Sequence, residues 1–239
     1  MDWRTRGSVR TQRRHWGRAV ALWDNHGVAG LERIIGAVLA AAREDGPSGL
    51  VVDVGTGTGA LALPLASNAR KVVAVDVSAG MLERLGEHAA SAGVGNIETI
   101  LSPVEELTFA PGSVDLIVSN YVLHHLIDRE KRRFVDNAVV WLRPGGRLII
   151  GDMMVGRGTT PEDRAILGSK VRVMMRRGPA GWWRIAKNAW RLMTRTRERP
   201  IPLHAWREML TGAGFVDVTA ERVIAEAGLV IGRVPPAAG

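Results

Sequence analysis

Asp53, Gly55, Gly57, Gly59 and Asp76 carry the first chemical signal in this 239-residue chain, through their types and their spacing. The three alternating glycines follow the apolar run Val51-Val-Asp-Val54 and lead into the apolar, helix-like stretch Ala60–Ala66. Glycine suits a sharp backbone turn and a close ligand approach, because a Cβ would collide there. A second apolar run, Val72-Val-Ala-Val75, ends at Asp76. A glycine turn after one strand and an acid at the end of the next suit a nucleoside. The turn admits it, and the second acid takes the ribose hydroxyls. These residues predict an adenosine-containing cofactor.

Gly55-x-Gly57-x-x-Ala60 also satisfies the dinucleotide pattern, which keeps a nicotinamide-dependent oxidoreductase open. Against that reading, Asp53 stands two positions before the first glycine, where an acid suits a cationic ligand and repels a pyrophosphate. Further along come the strand-like Val114-Asp-Leu-Ile-Val-Ser-Asn120, the segment Val122-Leu-His-His-Leu126, and Trp141-Leu-Arg-Pro-Gly-Gly-Arg-Leu-Ile-Ile150, which has the form of a helix end, a turn and a strand. With these motifs in this order, the chain resembles the class I S-adenosylmethionine (SAM)-dependent methyltransferases. The likeness is to the small-molecule branch with a methyltransferase type 11 domain, which includes ubiquinone/menaquinone-biosynthesis enzymes. It spans roughly residues 50–152.

The resemblance implies SAM as cofactor and a small-molecule methyl acceptor. It implies that Asp53, Gly55, Thr56, Gly57 and Gly59 line the methionine end, that Asp76 takes the ribose hydroxyls, and that Val77 and Met81 lie beside the adenine. The family's acidic segment after the third strand corresponds here to Ser102-Pro-Val-Glu105, so Ser102 replaces the usual aspartate and Val104 is expected to supply a backbone contact. Asn120, ending the fourth strand, completes the cofactor set. Both prolines of the amino-methylating NPPY motif are missing around it, which argues against methylation of nucleobase or amide nitrogen.

His124, His125 and Tyr121 are the candidates for proton chemistry. Imidazole titrates near neutral pH, and both histidines follow the fourth strand, close to the expected methyl position. For each, the alternative is a ring that bonds across the loop and holds its shape; the sequence does not divide the two roles between them. Tyr121, the one tyrosine, has either a ligand-contacting hydroxyl or a structural one. No metal-ligand spacing is present. In methyl transfer from a sulfonium, alignment supplies much of the catalysis, so the lack of a catalytic triad excludes nothing.

The elements that position these residues follow from the apolar pattern. A helix is expected over roughly Ala19 to Ala42, then a turn at Asp45–Gly49. Strands near 50–54, 71–76, 96–101, 114–119 and 146–152 alternate with helices, which implies an α/β fold with a parallel sheet and helices on both faces. A helix at His204–Thr211 and short strands at Phe215–Thr219 and Gly228–Gly232 follow, broken by Gly212-Ala-Gly214. By resemblance the whole is a Rossmann-like, seven-stranded, mostly parallel sheet closed by an antiparallel hairpin. The expected organisation is an N-terminal arm and cap helix (1–49), a SAM-binding core (50–154), an inserted basic lid (155–200) and a C-terminal helix and hairpin (201–239), in one domain.

The chain has a formal net charge of +8 and no cysteine, which excludes disulfides and thiol chemistry. Residues 1–18 carry a net +5 and residues 155–200 a net +9, so the remainder carries −6. On a helical wheel Gly181–Arg195 places Trp182, Ile185, Ala189, Leu192 and Met193 on one side and Arg184, Lys187, Arg191 and Arg195 on the other. This suits a lid packed over the active site, or a peripheral contact with an anionic membrane. Trp16, Trp23 and His26 lie in an arm that covers the site in similar enzymes. No apolar run reaches the roughly 20 residues that span a bilayer, and a cytoplasmic location is expected. The leading expectation is methyl transfer to an oxygen or carbon of a lipophilic natural-product, quinone or lipid-like molecule. A nucleic-acid methyltransferase and a non-catalytic SAM-fold subunit stand as alternatives.

Overall fold

The structure, a computed structural model, describes residues 30–45, 48–156 and 199–237, together with Gly7, Val9, Gln12, Arg164 and Gly168. Strands β1 (Ser48–Val54), β2 (Ala69–Asp76), β3 (Ile97–Leu101), β4 (Val114–Asn120), β5 (Leu142–Met153), β6 (Val216–Ile224) and β7 (Ala227–Arg233) form a single sheet. Its order is β3-β2-β1-β4-β5-β7-β6. The first five strands pair in parallel, and β7 runs antiparallel to both β5 and β6. The α/β expectation and its closing antiparallel pair hold.

Five helices cover the sheet among the described residues: α1 (Leu31–Arg43), α2 (Ala62–Ala66), α3 (Ala79–Ser91), α4 (Asp128–Trp141) and α5 (Leu203–Gly212). Alternate side chains of each central strand point to opposite faces. Val51, Leu116, Val118 and Ile149 join Ile34 and Val38 of α1, Leu65 of α2 and Leu82 and Leu85 of α3. Their neighbours Val52, Ile117, Leu148 and Ile150 join Phe134 and Ala138 of α4 and Trp206 and Leu210 of α5. Each such buried aliphatic side chain contributes about 1.5–3 kcal/mol.

Two expected boundaries are corrected. Of the helix expected over 19–42, residues 19–29 lie outside the described residues; the described helix starts at Leu31, after Gly30 at φ +95°, a left-handed conformation that a continuous helix cannot run through. The strand expected at 146 starts at Leu142. Leu142 pairs with Val114 and Arg147 with Leu116, so the Arg-Pro-Gly-Gly turn bulges out of a strand already begun. Arg147 then reaches the C-terminus of α1, donating to Ala41 O at 2.7 Å and to Ala42 O at 3.2 Å. A buried cation there satisfies carbonyls that the helix leaves open.

Strand order reverses between β1 and β4: the chain winds from β1 through β2 to β3 on one side and from β4 to β5 on the other. At such a reversal the loops beyond the strands' carboxyl ends part and leave a crevice. The glycine turn after β1, Asp76 ending β2 and Asn120 ending β4 all surround it.

Candidate active site

Gly55, Gly57 and Gly59 take φ values of +74°, +54° and +98°, a winding that residues with a Cβ rarely adopt. A Cβ on Gly55 would lie 2.1 Å from Cγ2 of Val122, so the turn closes directly against the segment that carries the two histidines. The amides of Gly55 and Thr56 both donate to Val75 O, at 2.8 and 2.9 Å. Asp76 accepts from Gly57 N through one oxygen and from Ser78 N through the other, each at 2.9 Å. A carboxylate has about four acceptor sites, so two remain for a diol. Burial pushes the Asp76 carboxyl above its ordinary range, opposed by these amide donors.

The crevice is a cleft of two adjoining lobes, of about 590 and 410 Å³. Gly55, Gly57, Asn120 and Tyr121 border both. The larger lobe also takes Asp76, Val77, Met81, Ser102, Val104 and His125 from the expected site residues. The smaller lobe takes Asp53 and Thr56, and it is walled by Leu31 and Ile35 of α1. Gly59 borders neither. Its missing Cβ would lie 2.4 Å from Leu85 Cδ1, so this glycine lets α3 pack against the turn. Sequence reasoning missed Gln12, Val75 and Val122, which also line the larger lobe. Val122 was within reach, since it opens the Val-Leu-His-His-Leu segment; nothing local marks Gln12.

The two acids differ in setting. Asp53 is 1% exposed, and Thr56 Oγ1 donates to it at 2.7 Å. Burial pushes its carboxyl up to about 7, with the charge of Asp76 adding to the rise and the Thr56 hydroxyl opposing it. Asn120 offers the other polar feature: its Oδ1 is buried without a hydrogen-bond partner at the junction of the lobes. A buried acceptor left unpaired costs about 1–3 kcal/mol.

Tyr121 also sits at the junction, with φ +56° and its amide donating to Gly151 O at 2.8 Å. A tyrosine held at positive φ costs on the order of 1–3 kcal/mol, strain typical of functional sites. Burial pushes its phenol up to about 12, helped by the charges of Glu226 and Asp152, so its hydroxyl keeps its proton near neutral pH.

The structure separates the two histidines. His124 is buried, its main-chain N–H donating to Asp152 Oδ2 at 2.8 Å and its Nδ1 lying 2.5 Å from Asp152 Oδ1. It does not border the cleft. His125 does, with its ring 4.0 Å from that of His124, centroid to centroid. Of the two candidate bases, His125 borders the cleft, while His124 is bonded to Asp152 away from it. Trp16, Trp23, His26 and the expected Gly181–Arg195 helix lie outside the described residues.

Residues 51–146 match the family described as the methyltransferase domain. The chain carries a class I SAM-dependent methyltransferase domain. It is similar to the ubiquinone/menaquinone biosynthesis C-methyltransferase UbiE of Geotalea daltonii, at 34% identity over 109 residues, 44% of this chain and 45% of that protein. It is also similar to the carboxy-S-adenosyl-L-methionine synthase of Pseudomonas fluorescens, at 29% over 181 residues, 72% of this chain and 71% of that one. In fold it matches the solved DhpI–SAH complex, with a TM-score of 0.69 at 19% identity over 97% of this chain and 98% of that chain. The chain spans between 28% and 45% of the length of the first three curated relatives it matches.

The methyltransferase domain's own residues fit SAM better than a dinucleotide. Asp53 and Asp76 border the cleft, and no lysine or arginine is among its described lining residues. Such a cleft favours a sulfonium with an ammonium and disfavours a pyrophosphate. The nicotinamide alternative falls on this charge pattern and on the family. Among the described residues no group of three metal-binding side chains occurs, and no helix is long and apolar enough to cross a membrane.

Proposed function

We propose that this chain transfers a methyl group from SAM to an oxygen or carbon of a lipophilic small molecule of natural-product, quinone or lipid type. The observation that carries the reading is the two-lobed cleft at the strand reversal, with Asp53 and Asp76 in its lining and Tyr121 and His125 on its wall. Asp76 would hold the ribose hydroxyls in the larger lobe, with Val77, Met81, Ser102 and Val104 around the adenine. Asp53, Thr56 and the backbone of Gly55 and Gly57 would face the methionine end in the smaller lobe. Bound there, SAM supplies a methyl group already activated on a sulfonium.

The chain's own residues then have three tasks. The glycine turn and Asp76 orient the donor, and such alignment is worth about 7–11 kcal/mol of barrier. Tyr121, with its hydroxyl protonated, donates a hydrogen bond at the junction. His125, on the cleft wall, takes the proton that an acceptor hydroxyl or acidic C–H loses, a step worth roughly a hundredfold or more. The lipophilic acceptor is supported by Val122, which lines the cleft with Tyr121 and His125, and by the quinone-biosynthesis relative.

Calorimetry with SAM, S-adenosylhomocysteine and NADH, followed by transfer of labelled methyl to a panel of phenols, hydroquinones and fatty acids, tests the reading. SAM binding with turnover of a lipophilic acceptor supports it. Binding of NADH in place of SAM overturns it. Salt-sensitive RNA binding with RNA methylation would favour the nucleic-acid alternative, and SAM binding with no turnover on any acceptor the non-catalytic one.

A further inference from the structure

Lys131 of α4 is fully buried, and its ammonium donates to Leu126 O at 2.9 Å, to Asp128 Oδ1 at 3.0 Å and to Arg199 O at 2.6 Å. Asp128 is itself about half exposed, so two of the three acceptors inside the protein are main-chain carbonyls. A buried ammonium is expensive unless it is fully bonded, and an apolar residue would fill the same volume more cheaply. What this lysine gains is a junction: Leu126 ends the histidine turn, and Arg199 lies four residues before α5.

Arg199 completes the junction from the other side. Its main-chain N–H donates to His124 O at 2.6 Å, and its guanidinium Nη1 donates to His125 O at 3.2 Å. Three successive stations of the turn, the carbonyls of His124, His125 and Leu126, are thus held by two cationic residues that are 68 positions apart and bonded to each other. Asp152 grips the same turn through His124. The turn is a single 3-10 segment, Leu123–His125, closed by two successive hydrogen bonds, His125 N to Val122 O and Leu126 N to Leu123 O, each at 3.0 Å. A segment that short does not fix its own side-chain directions.

We propose that Lys131 and Arg199 are positioning residues for His125: together they fix the turn that aims its imidazole into the cleft. The inference rests on the reading of His125 as the group on the acceptor side. Neither residue borders the cleft, so both act through the backbone of the turn.

The test compares full-length wild type with Lys131→Met and Arg199→Met, following the His125 imidazole by NMR from pH 5 to 9. The charged and titratable groups around the turn include Lys131, Arg199, Asp128, Asp152, Tyr121 and the His124 ring. Removing either cation favours the imidazolium, so the His125 midpoint should rise by about half a pH unit. His88, on α3, and His204, on α5, should keep their midpoints, which a general loosening of the fold would not allow. SAM affinity should stay within about twofold, while kcat on any acceptor the wild type methylates falls about tenfold, roughly the effect of misplacing a catalytic group. A His125 midpoint and kcat equal to wild type in both variants would overturn the proposal. If Lys131→Met fails to fold, Arg199→Met, which keeps the main-chain donor and loses only the guanidinium, decides alone. Should the wild type bind SAM and methylate nothing, the proposed function fails while the NMR comparison still judges the positioning role.

Discussion

Asp152 holds His124 at two points, its main-chain N–H at 2.8 Å and its imidazole Nδ1 at 2.5 Å. One buried carboxylate on β5 thereby fixes both the backbone and the ring of a residue on the loop after β4. With His124 turned inward, its neighbour on the short turn faces the cleft. The adjacent histidines should accordingly fail in different assays. His124→Ala and Asp152→Asn should lower stability by about 2–3 kcal/mol, the worth of charge-assisted bonds to a buried carboxylate. His125→Ala should melt like wild type and lose roughly a hundredfold in kcat. Chemical denaturation and methyl-transfer kinetics on the same preparations check both outcomes.

Asp76→Ala should weaken SAM at least tenfold, since each bond to a charged acceptor is worth about 1.5–3 kcal/mol. It should also cost some stability, because the carboxylate bonds Gly57 N and Ser78 N at 2.9 Å each. Calorimetry separates the two effects, and unchanged affinity would remove Asp76 from the ribose site.

Asp53 predicts a pH dependence. Its folded-state carboxyl is raised to about 7, so the folded chain keeps a proton that the unfolded chain loses near its ordinary 3.8. Stability should therefore fall as pH rises from about 4 to about 7, by at most about 1.4 kcal/mol per unit, and Asp53→Asn should flatten that fall. SAM is cationic and favours the ionised carboxylate. Its affinity should rise about tenfold from pH 6 to pH 8, following the ionised fraction, and stay flat in Asp53→Asn. Calorimetric titrations across that range read both trends.

Gly55→Ala should destabilise by about 2–4 kcal/mol, from the positive φ and from overlap with Val122. The added Cβ would meet Val122 Cγ2 at 2.1 Å and Cγ1 at 2.7 Å. Val122→Ala in the same molecule should recover part of the loss, because the overlap is relieved and the backbone strain is not. A double-mutant cycle by denaturation measures that coupling.

The basic side expected of Gly181–Arg195 yields the last prediction. If it meets a membrane, charge reversal at Arg184, Lys187 and Arg191 should abolish binding to anionic vesicles and spare turnover of a soluble acceptor. If it is a lid, Trp182→Ser with Ile185→Ser should raise the acceptor KM and leave SAM binding intact. Vesicle sedimentation and steady-state kinetics on both variants distinguish the two.

The sequence by itself determined the sheet's first five strands, the glycine turn and the acid that ends the second strand at the cleft. These depend on local physics: buried parallel strands need apolar runs, and a backbone at positive φ needs glycine. It did not show that β7 would lie between β5 and β6, although it marked both strands, because strand order depends on which edges are left to cover. The family resemblance put Gly59 in the cofactor set; in the structure it borders neither lobe and packs against Leu85 and Leu63. The sequence could not tell His124 from His125, because two adjacent residues on a 3-10 turn differ only in what surrounds them. Their surroundings are set by Asp152 of β5, Lys131 of α4 and Arg199, partners that only the tertiary structure brings to one turn.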